Sequence, residues 1–270
     1  MFCAFGERKS FLIHLTRAYV CDIIYCTQHV ALGKGKSLHH DIDFLESEMS
    51  KIETHVHTAE CDTYAFVKAK DIVRMYRDAG YDGMVVTDHY FSMFFDWFGD
   101  ELCGLDHKGI IDRWLRGYAN AREEGEKLGF TVLSGAEVRF DGCINDYLVY
   151  GLEPEFFYSA PLLNRLRNVK ELIEVLPGDA CVVQAHPFRN KMTVEDPSPL
   201  FGIEVHNGGT EPFRNDLARI YAEHYGKAML SGSDFHKAEH LARGGIITET
   251  DVKSSRDLAE VLKAGTYSLI

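Results

Sequence analysis

The 270 residues carry 29 Lys and Arg against 41 Asp and Glu, a formal net charge of −12. That balance argues against a general grip on nucleic-acid backbones or anionic membranes, so extended nucleic acid and membrane are set aside as partners. With 46% hydrophobic residues, 12% aromatic residues and only 7 prolines, the chain has material for a sizeable core and no signature of disorder.

No apolar run reaches the ~18 residues that a membrane-spanning helix needs, and Phe11-Leu12-Ile13 is interrupted too soon for a signal peptide. The seven cysteines, Cys3, Cys21, Cys26, Cys61, Cys103, Cys143 and Cys181, are odd in number and form no CxxC pair. Neither a disulfide framework nor a structural zinc knuckle is suggested, and a reducing cytoplasm is the simplest location.

Residues 1–48 hold no sustained period and read as an extension outside the domain, either a misassigned start or a mobile segment. A short helix over 11–25 packed on the outside of the domain is the alternative. The domain itself runs from 49 to 270. A strand over Ile52–Val56 opens it, followed by a helix with Ala69, Ile72, Val73 and Tyr76 on one face, a stop at Gly80 and a strand through Met84-Val85-Val86. A helix through Ile110, Trp114 and Tyr118 to Gly129 precedes strands over Thr131–Glu137 and Tyr147–Tyr150. The pattern continues with a helix over Leu162–Leu176, strands over Cys181–Ala185 and Gly202–Val205, and a helix over Phe213–Tyr225. Strands over Ala228–Leu230 and Gly245–Thr248 and a helix over Ser254–Lys263 end it. Alternating apolar strands and helices predict an α/β fold with parallel strands, closed into a barrel.

Imidazoles and carboxylates gather at the strand ends. His55 and His57, at i and i+2 of the first strand, face one side, and Asp62 follows in the loop. His89, Glu137 and His186 end later strands, and Asp234 and His236 repeat the i, i+2 spacing. In a parallel barrel these ends meet on one face. Nitrogen and carboxylate ligands without thiolate suit zinc, manganese or iron, and eight such residues exceed the needs of one tetrahedral ion, so two or three divalent ions are expected. His14, His29, His39, His40, His107, His224 and His240 read as surface residues. His206 and Glu204, near the end of their strand, read either as supports of the site or as structural residues.

From about Met49 onward the chain resembles the PHP (polymerase and histidinol phosphatase) superfamily of metal-dependent phosphoesterases. The motifs that carry the resemblance are His55-Val56-His57-Thr58 with Asp62, Thr87-Asp88-His89, Gly135-Ala136-Glu137, Ala185-His186-Pro187 and Gly232-Ser233-Asp234-Phe235-His236, in that order. The resemblance implies a distorted seven-stranded (β/α) TIM-like barrel with a trinuclear site. By motif position His55, His57, Glu137 and Asp234 would bind one ion. Glu137 would bridge to a second held by His186, and Asp62, His89 and His236 would bind a third. Where many members place a further histidine, this chain has Asp146, which would favour a harder ion or weaken the second site.

Such a cluster implies hydrolysis of a phosphate ester: ions roughly 3.5–4 Å apart activate a shared water for in-line attack on phosphorus, with Glu137 and Asp234 central to the catalytic site. Cys61 has no partner histidine at a fixed spacing and is not read as a nucleophile. Arg139, Arg189 and Arg243 follow site motifs and are the candidates for binding the substrate phosphate. Tyr90, Phe91, Phe94, Phe95, Trp97 and Phe98 form either a lid that stacks on a substrate ring or a hydrophobic plug. The expected substrate is a small phosphomonoester, as for histidinol or nucleotide phosphatases. The alternatives are a PHP-type exonuclease on short oligonucleotides and, with less support, an amidohydrolase, whose bridging carbamoylated lysine Glu137 would replace.

Overall fold

In the computed structural model, which describes residues 49–270, strand β1 (Ser50–Val56) lies in the middle of a five-stranded sheet and is buried along its second half. The reading of residues 1–48 falls outside the described residues. Strand β2 (Gly83–Val86) pairs parallel on one side of β1, and β10 (Ile246–Thr248) pairs antiparallel on the other. Helix α1 (Ala69–Asp78) connects β1 to β2. Its Ala69, Ile72, Val73 and Tyr76 are fully buried, as their spacing predicts, and Gly80 leaves the helix with φ at 78°, a value that favours glycine.

The next two strands change sheets part-way. After β2 the chain continues past Thr87 and Asp88 into the short β3 (His89–Tyr90). After β4 (Thr131–Ser134) it passes Gly135 into β5 (Ala136–Val138). The strands β2 and β4 belong to the first sheet, in the order β11-β10-β1-β2-β4, where β11 is Tyr267–Leu269. The strands β3 and β5 belong to a six-stranded sheet, in the order β3-β5-β6-β7-β8-β9. The remaining members of that sheet are β6 (Tyr147–Tyr150), β7 (Cys181–Gln184), β8 (Gly202–Asn207) and β9 (Ala228–Gly232). Gly135 sits where the sheets meet: a Cβ there would lie 2.9 Å from Val85 Cγ1 and 3.0 Å from the Val149 carbonyl.

Two sheets, rather than one closed seven-stranded barrel, are what the ladders describe, so the fold is a mixed α/β one. The parallel expectation fails at β6, which is antiparallel to both β5 and β7. Only residues 139–146 separate β5 from β6, too few for the crossover that a parallel return requires. A parallel bridge between Val56 and Phe235 joins the end of β1 to the segment after β9, with His57 N donating to Phe235 O and Phe235 N to His55 O, both at 3.0 Å.

Several helices are shorter than their apolar period suggests. The helix expected through 110–129 is broken at Leu115 into α2 (His107–Trp114) and α3 (Arg116–Leu128). The break lets Gly117 lie against Thr58 and Asp88, where any Cβ would clash at 2.1 and 2.4 Å. The helix expected over 162–176 begins only after Asn168, whose side chain accepts from Lys170 N and Glu171 N and caps Val169–Val175. Short helices over Ser92–Trp97 and Pro154–Ser159, and strand β11, have no counterpart in the expected elements. The helix over Pro212–Tyr225 lies where its period places it, and so does Ser255–Ala264, opened by a Ser254–Asp257 capping box. Among the described residues no helix is long and apolar enough to cross a membrane.

Candidate metal centre

The strand-end residues of both sheets converge. His55, His57, Asp62, His89, Glu137, Asp146, His186 and Asp234 are all buried, and His236 is half-buried. Their ligand atoms form four overlapping sets whose members lie within 4.8 Å of one another: His57, Asp62, His89 and His236; His55, His57 and Glu137; His55, His186 and Asp234; and Glu137, Asp146 and His186. Glu137 occupies the middle. Its Oε1 lies 3.0 Å from His186 Nε2 and 3.5 Å from His55 Nε2, while Oε2 lies 2.9 Å from His89 Nε2 and 3.3 Å from His57 Nε2. Asp234 Oδ1 lies 3.5 Å from His55 Nε2, 3.4 Å from His57 Nε2 and 3.2 Å from His236 Nδ1.

The donor set fits divalent ions. His55 Nε2 and both ring nitrogens of His57 are buried without a hydrogen-bond partner, an arrangement that is costly unless something else takes their lone pairs. Electrostatics point the same way. Burial opposes charge on His89 and His236, yet Glu137 and Asp62 lift the first to about 10, and Asp234 and Asp62 lift the second to about 9. Burial, helped by the neighbouring His89 and His236, drives His57 down to about 3. Burial works against ionised Glu137 and Asp234 too, but His55 and His89 hold the first, and Arg189 and His55 the second, well below the usual carboxylate range. The cluster therefore attracts positive charge, and divalent ions and protons compete for the same lone pairs.

The backbone is bent to serve the site. His186 and Asp234 have φ of 28° and 51°, left-handed values that non-glycine residues seldom adopt and that concentrate at functional positions.

Around the cluster stand residues that aim it. Glu204 Oε1 accepts from His55 Nδ1, and Glu204 Oε2 accepts from His186 N and Asn207 Nδ2. Of the two readings open for Glu204, support of a ligand is the one the geometry gives. Glu53 was not expected to matter. Fully buried, it accepts from Thr54 N, His55 N and Ser233 N at 2.9 Å each, from Tyr76 Oη at 2.9 Å, and from Ser233 Oγ. It thus ties β1 to α1 and to the loop after β9; burial raises its pKa, against the pull of those donors. The available sequence signal was a charge at i−2 of His55, on the same strand face.

Of the three arginines, two join the cluster. Arg139 grips Asp146 with Nε on Oδ1 and Nη2 on Oδ2, both at 2.6 Å. Arg189 Nη2 donates to Asp234 Oδ2 and, at 2.9 Å, to Asn207 Oδ1. Arg243 does not join them: it donates to the Gly208 carbonyl at 3.1 Å and lines a groove of about 500 Å³ with His206, Asp216 and Arg219. His206 also turns from the cluster, donating from Nε2 to the Arg243 carbonyl at 2.7 Å. His240 corrects the surface reading, because its Nδ1 lies 3.0 Å from the Asp234 carbonyl, and its place in a tight turn after His236 explains why. Cys61 is buried, donates to the Trp114 carbonyl, and has its thiol pushed up by burial, which leaves it inert.

The aromatic stretch is mainly a plug. Tyr90, Phe91 and Phe94 are buried and belong to the core, and Phe91 packs 4.6 Å from the His89 ring. Trp97 meets Phe91 on one side and the exposed Tyr64 on the other, each at 5.2 Å.

Comparisons with known proteins agree with the motifs. Residues 212–267, which carry Asp234 and His236, match the PHP_C family model, described as PHP-associated. No curated protein matches the chain. Among solved structures, the chain is similar to a two-domain protein containing a predicted PHP-like metal-dependent phosphoesterase from Bacteroides vulgatus, at TM-score 0.58 and 18% identity. That match covers 82% of this chain and 64% of the other, so the chain spans less than two thirds of that relative. It is also similar to PsfC from Pseudomonas syringae, at TM-score 0.59 and 17% identity over 82% of this chain and 91% of that one. An amidohydrolase from Chromobacterium violaceum matches at TM-score 0.50 and 14% identity over 70% and 89%. Identities this low speak for the fold alone. The carboxy-terminal match is thus to a PHP-associated family model, and the fold is similar to that of a solved protein containing a PHP-like domain.

Proposed function

We propose that the chain is a metal-dependent phosphoesterase that hydrolyses a small phosphomonoester. The observation that carries this reading is the convergence of His55, His57, Asp62, His89, Glu137, His186, Asp234 and His236 with buried lone pairs left open. These residues would hold two or three divalent ions of zinc, manganese or iron. Bound ions would supply Lewis acidity toward the phosphoryl oxygens and lower the pKa of a water for in-line attack.

The chain's own residues do the rest. Glu137, facing four histidines, would help hold the ions, and Asp234 turns one oxygen to His55, His57 and His236 while Arg189 holds the other. Glu204 keeps the proton of His55 on Nδ1, so that the Nε2 lone pair faces inward. Arg139 uses its Nε–Nη2 edge on Asp146, which leaves Nη1 for a phosphate oxygen, and its side chain is 29% exposed. The cations paired with cluster carboxylates are arginines, Arg139 and Arg189, and Glu137 stands where a bridging carboxylate is needed, which favours phosphoester over amide hydrolysis. The acidic balance and the absence of a basic stripe favour a small substrate over an oligonucleotide. The free thiols Cys61, Cys103, Cys143 and Cys181 suit a cytoplasmic location.

The test is turnover of p-nitrophenyl phosphate by chelator-treated protein after addition of manganese or zinc, with mononucleotides and a labelled oligonucleotide in parallel. Metal-restored hydrolysis of the monoesters, lost in Asp234→Ala, is expected. Restored activity on the oligonucleotide alone would favour the exonuclease, and no restored activity on any of them sinks the reading.

A further inference from the structure

The ladder between β5 and β6 pairs Glu137 with Leu148 and Val138 with Tyr147. The next pair in that register is Arg139 with Asp146, so the bidentate grip between them is a cross-strand pair written into the hairpin. On its other side the Arg139 guanidinium lies 5.4 Å from the Phe91 ring, which itself packs on His89. The guanidinium is therefore held from two directions at the edge of the cluster.

Its partner is the residue that departs from the motif pattern. Asp146 Oδ2 lies 3.9 Å from His186 Nε2, and with Glu137 the two residues make the fourth ligand set. That corner differs from the others in its charge. Asp234 also meets an arginine, but it gives Arg189 one oxygen and turns the other to His55, His57 and His236. Asp146 gives both oxygens to Arg139. What is left there for a divalent ion is the His186 ring and Glu137, which the His55 and His57 set already shares, next to a fixed positive charge.

We propose that Arg139 stands in for a third cation. Locked across Asp146, it keeps a divalent ion out of the Glu137, Asp146 and His186 corner, so that the chain holds two ions and offers a guanidinium at the remaining position. The part of this proposal that concerns the substrate rests on the phosphoesterase reading; the ion count does not.

Elemental analysis of the full chain, saturated with manganese or zinc and then desalted, reads the count directly. Two ions per chain are expected for the unaltered protein and for Asp146→Asn, which loses no ligand under this assignment. Three are expected for Arg139→Gln, with Asp146 released. Arg139→Met, which keeps the stem against Phe91, gives the same reading where the glutamine variant does not fold. Three ions in the unaltered protein, a loss of one in Asp146→Asn, or a count that stays at two in the folded Arg139 variants would overturn the proposal. Three ions together with hydrolysis of p-nitrophenyl phosphate would leave the phosphoesterase reading intact, whereas fewer than two ions in the unaltered protein would overturn both.

Discussion

Glu204 Oε1 lies 2.8 Å from His55 Nδ1, and through this contact a residue of β8 decides which nitrogen of a β1 histidine faces the cluster. Replacing Glu204 by Gln keeps its size but permits the wrong tautomer and removes the charge that favours a bound cation. Metal affinity is expected to fall about 10- to 100-fold, the usual effect of losing such a partner, with the fold retained. Titration of the chelated protein with zinc, followed by calorimetry beside a circular dichroism spectrum, checks it. Unchanged affinity would deny Glu204 the orienting role.

Gly232 precedes Ser233 and Asp234 where β9 meets β1. A Cβ there would lie 2.5 Å from His55 Cβ and 2.9 Å from Glu204 Oε1, neither of which can retreat within a buried cluster. Gly232→Ala is expected to lower stability by about 1–3 kcal/mol, the range for overpacked cores. Because it presses on His55 and Glu204, metal affinity should fall with it. A urea melt with and without metal reads both effects, and a variant as stable as the parent would show that the strands can part.

The thiols should divide by burial. Burial pushes Cys181 up to about 11 and lifts Cys61 well above the ordinary thiol value, whereas Cys103 and Cys143 are exposed. At pH 8 iodoacetamide is expected to label Cys103 and Cys143 in the native protein and to spare Cys61 and Cys181 until denaturant is added, as peptide mass mapping would show. The sign for stability follows from a raised value: the contribution of Cys181 is full below the ordinary thiol value and is lost as pH climbs through about 11. Rapid native labelling of Cys181 would contradict its packing.

On the surface Glu123 joins α1 to α3, accepting from Lys127 at 2.7 Å and from Lys70 at 2.5 Å. These two ammonium groups lower its carboxyl to about 2. A depressed acid stabilises the fold above its unfolded value and loses that contribution as pH falls through about 2. Glu123→Gln should therefore melt slightly below the parent at pH 7, with the gap closing toward pH 2 and shrinking in salt because the pair is exposed. A gap that persists at pH 2 would point to a cause other than charge.

Much of this was legible in the residues. Helical spacing gave α1 to within its ends, and strand parity placed His55 with His57, whereas Asp234 and His236 lie beyond β9 and meet through the left-handed backbone at Asp234. What escaped the sequence depended on partners distant along the chain. The antiparallel turn of β6 follows from the brevity of 139–146, a length that apolar patterning does not weigh. The break at Leu115 follows from Gly117 seating on Thr58 and Asp88, more than fifty residues earlier in one case and nearly thirty in the other. Arg243 reads like its two companions in sequence, a basic residue after a motif, but its loop turns the guanidinium toward Gly208. Glu53 looks like an ordinary strand charge until Ser233 and Tyr76 fold onto it.

That carboxyl has a consequence for the order in which the protein can be built. Glu53 takes two of its five donors from Ser233, 180 residues downstream. A nascent chain emerging from the ribosome would expose a half-satisfied Glu53 and an open first strand until residues 228–244 arrive. Completion of the cluster and burial of this acid are then one late event, so that a ribosome stalled before Asp234 would present an unfinished domain with no competent centre.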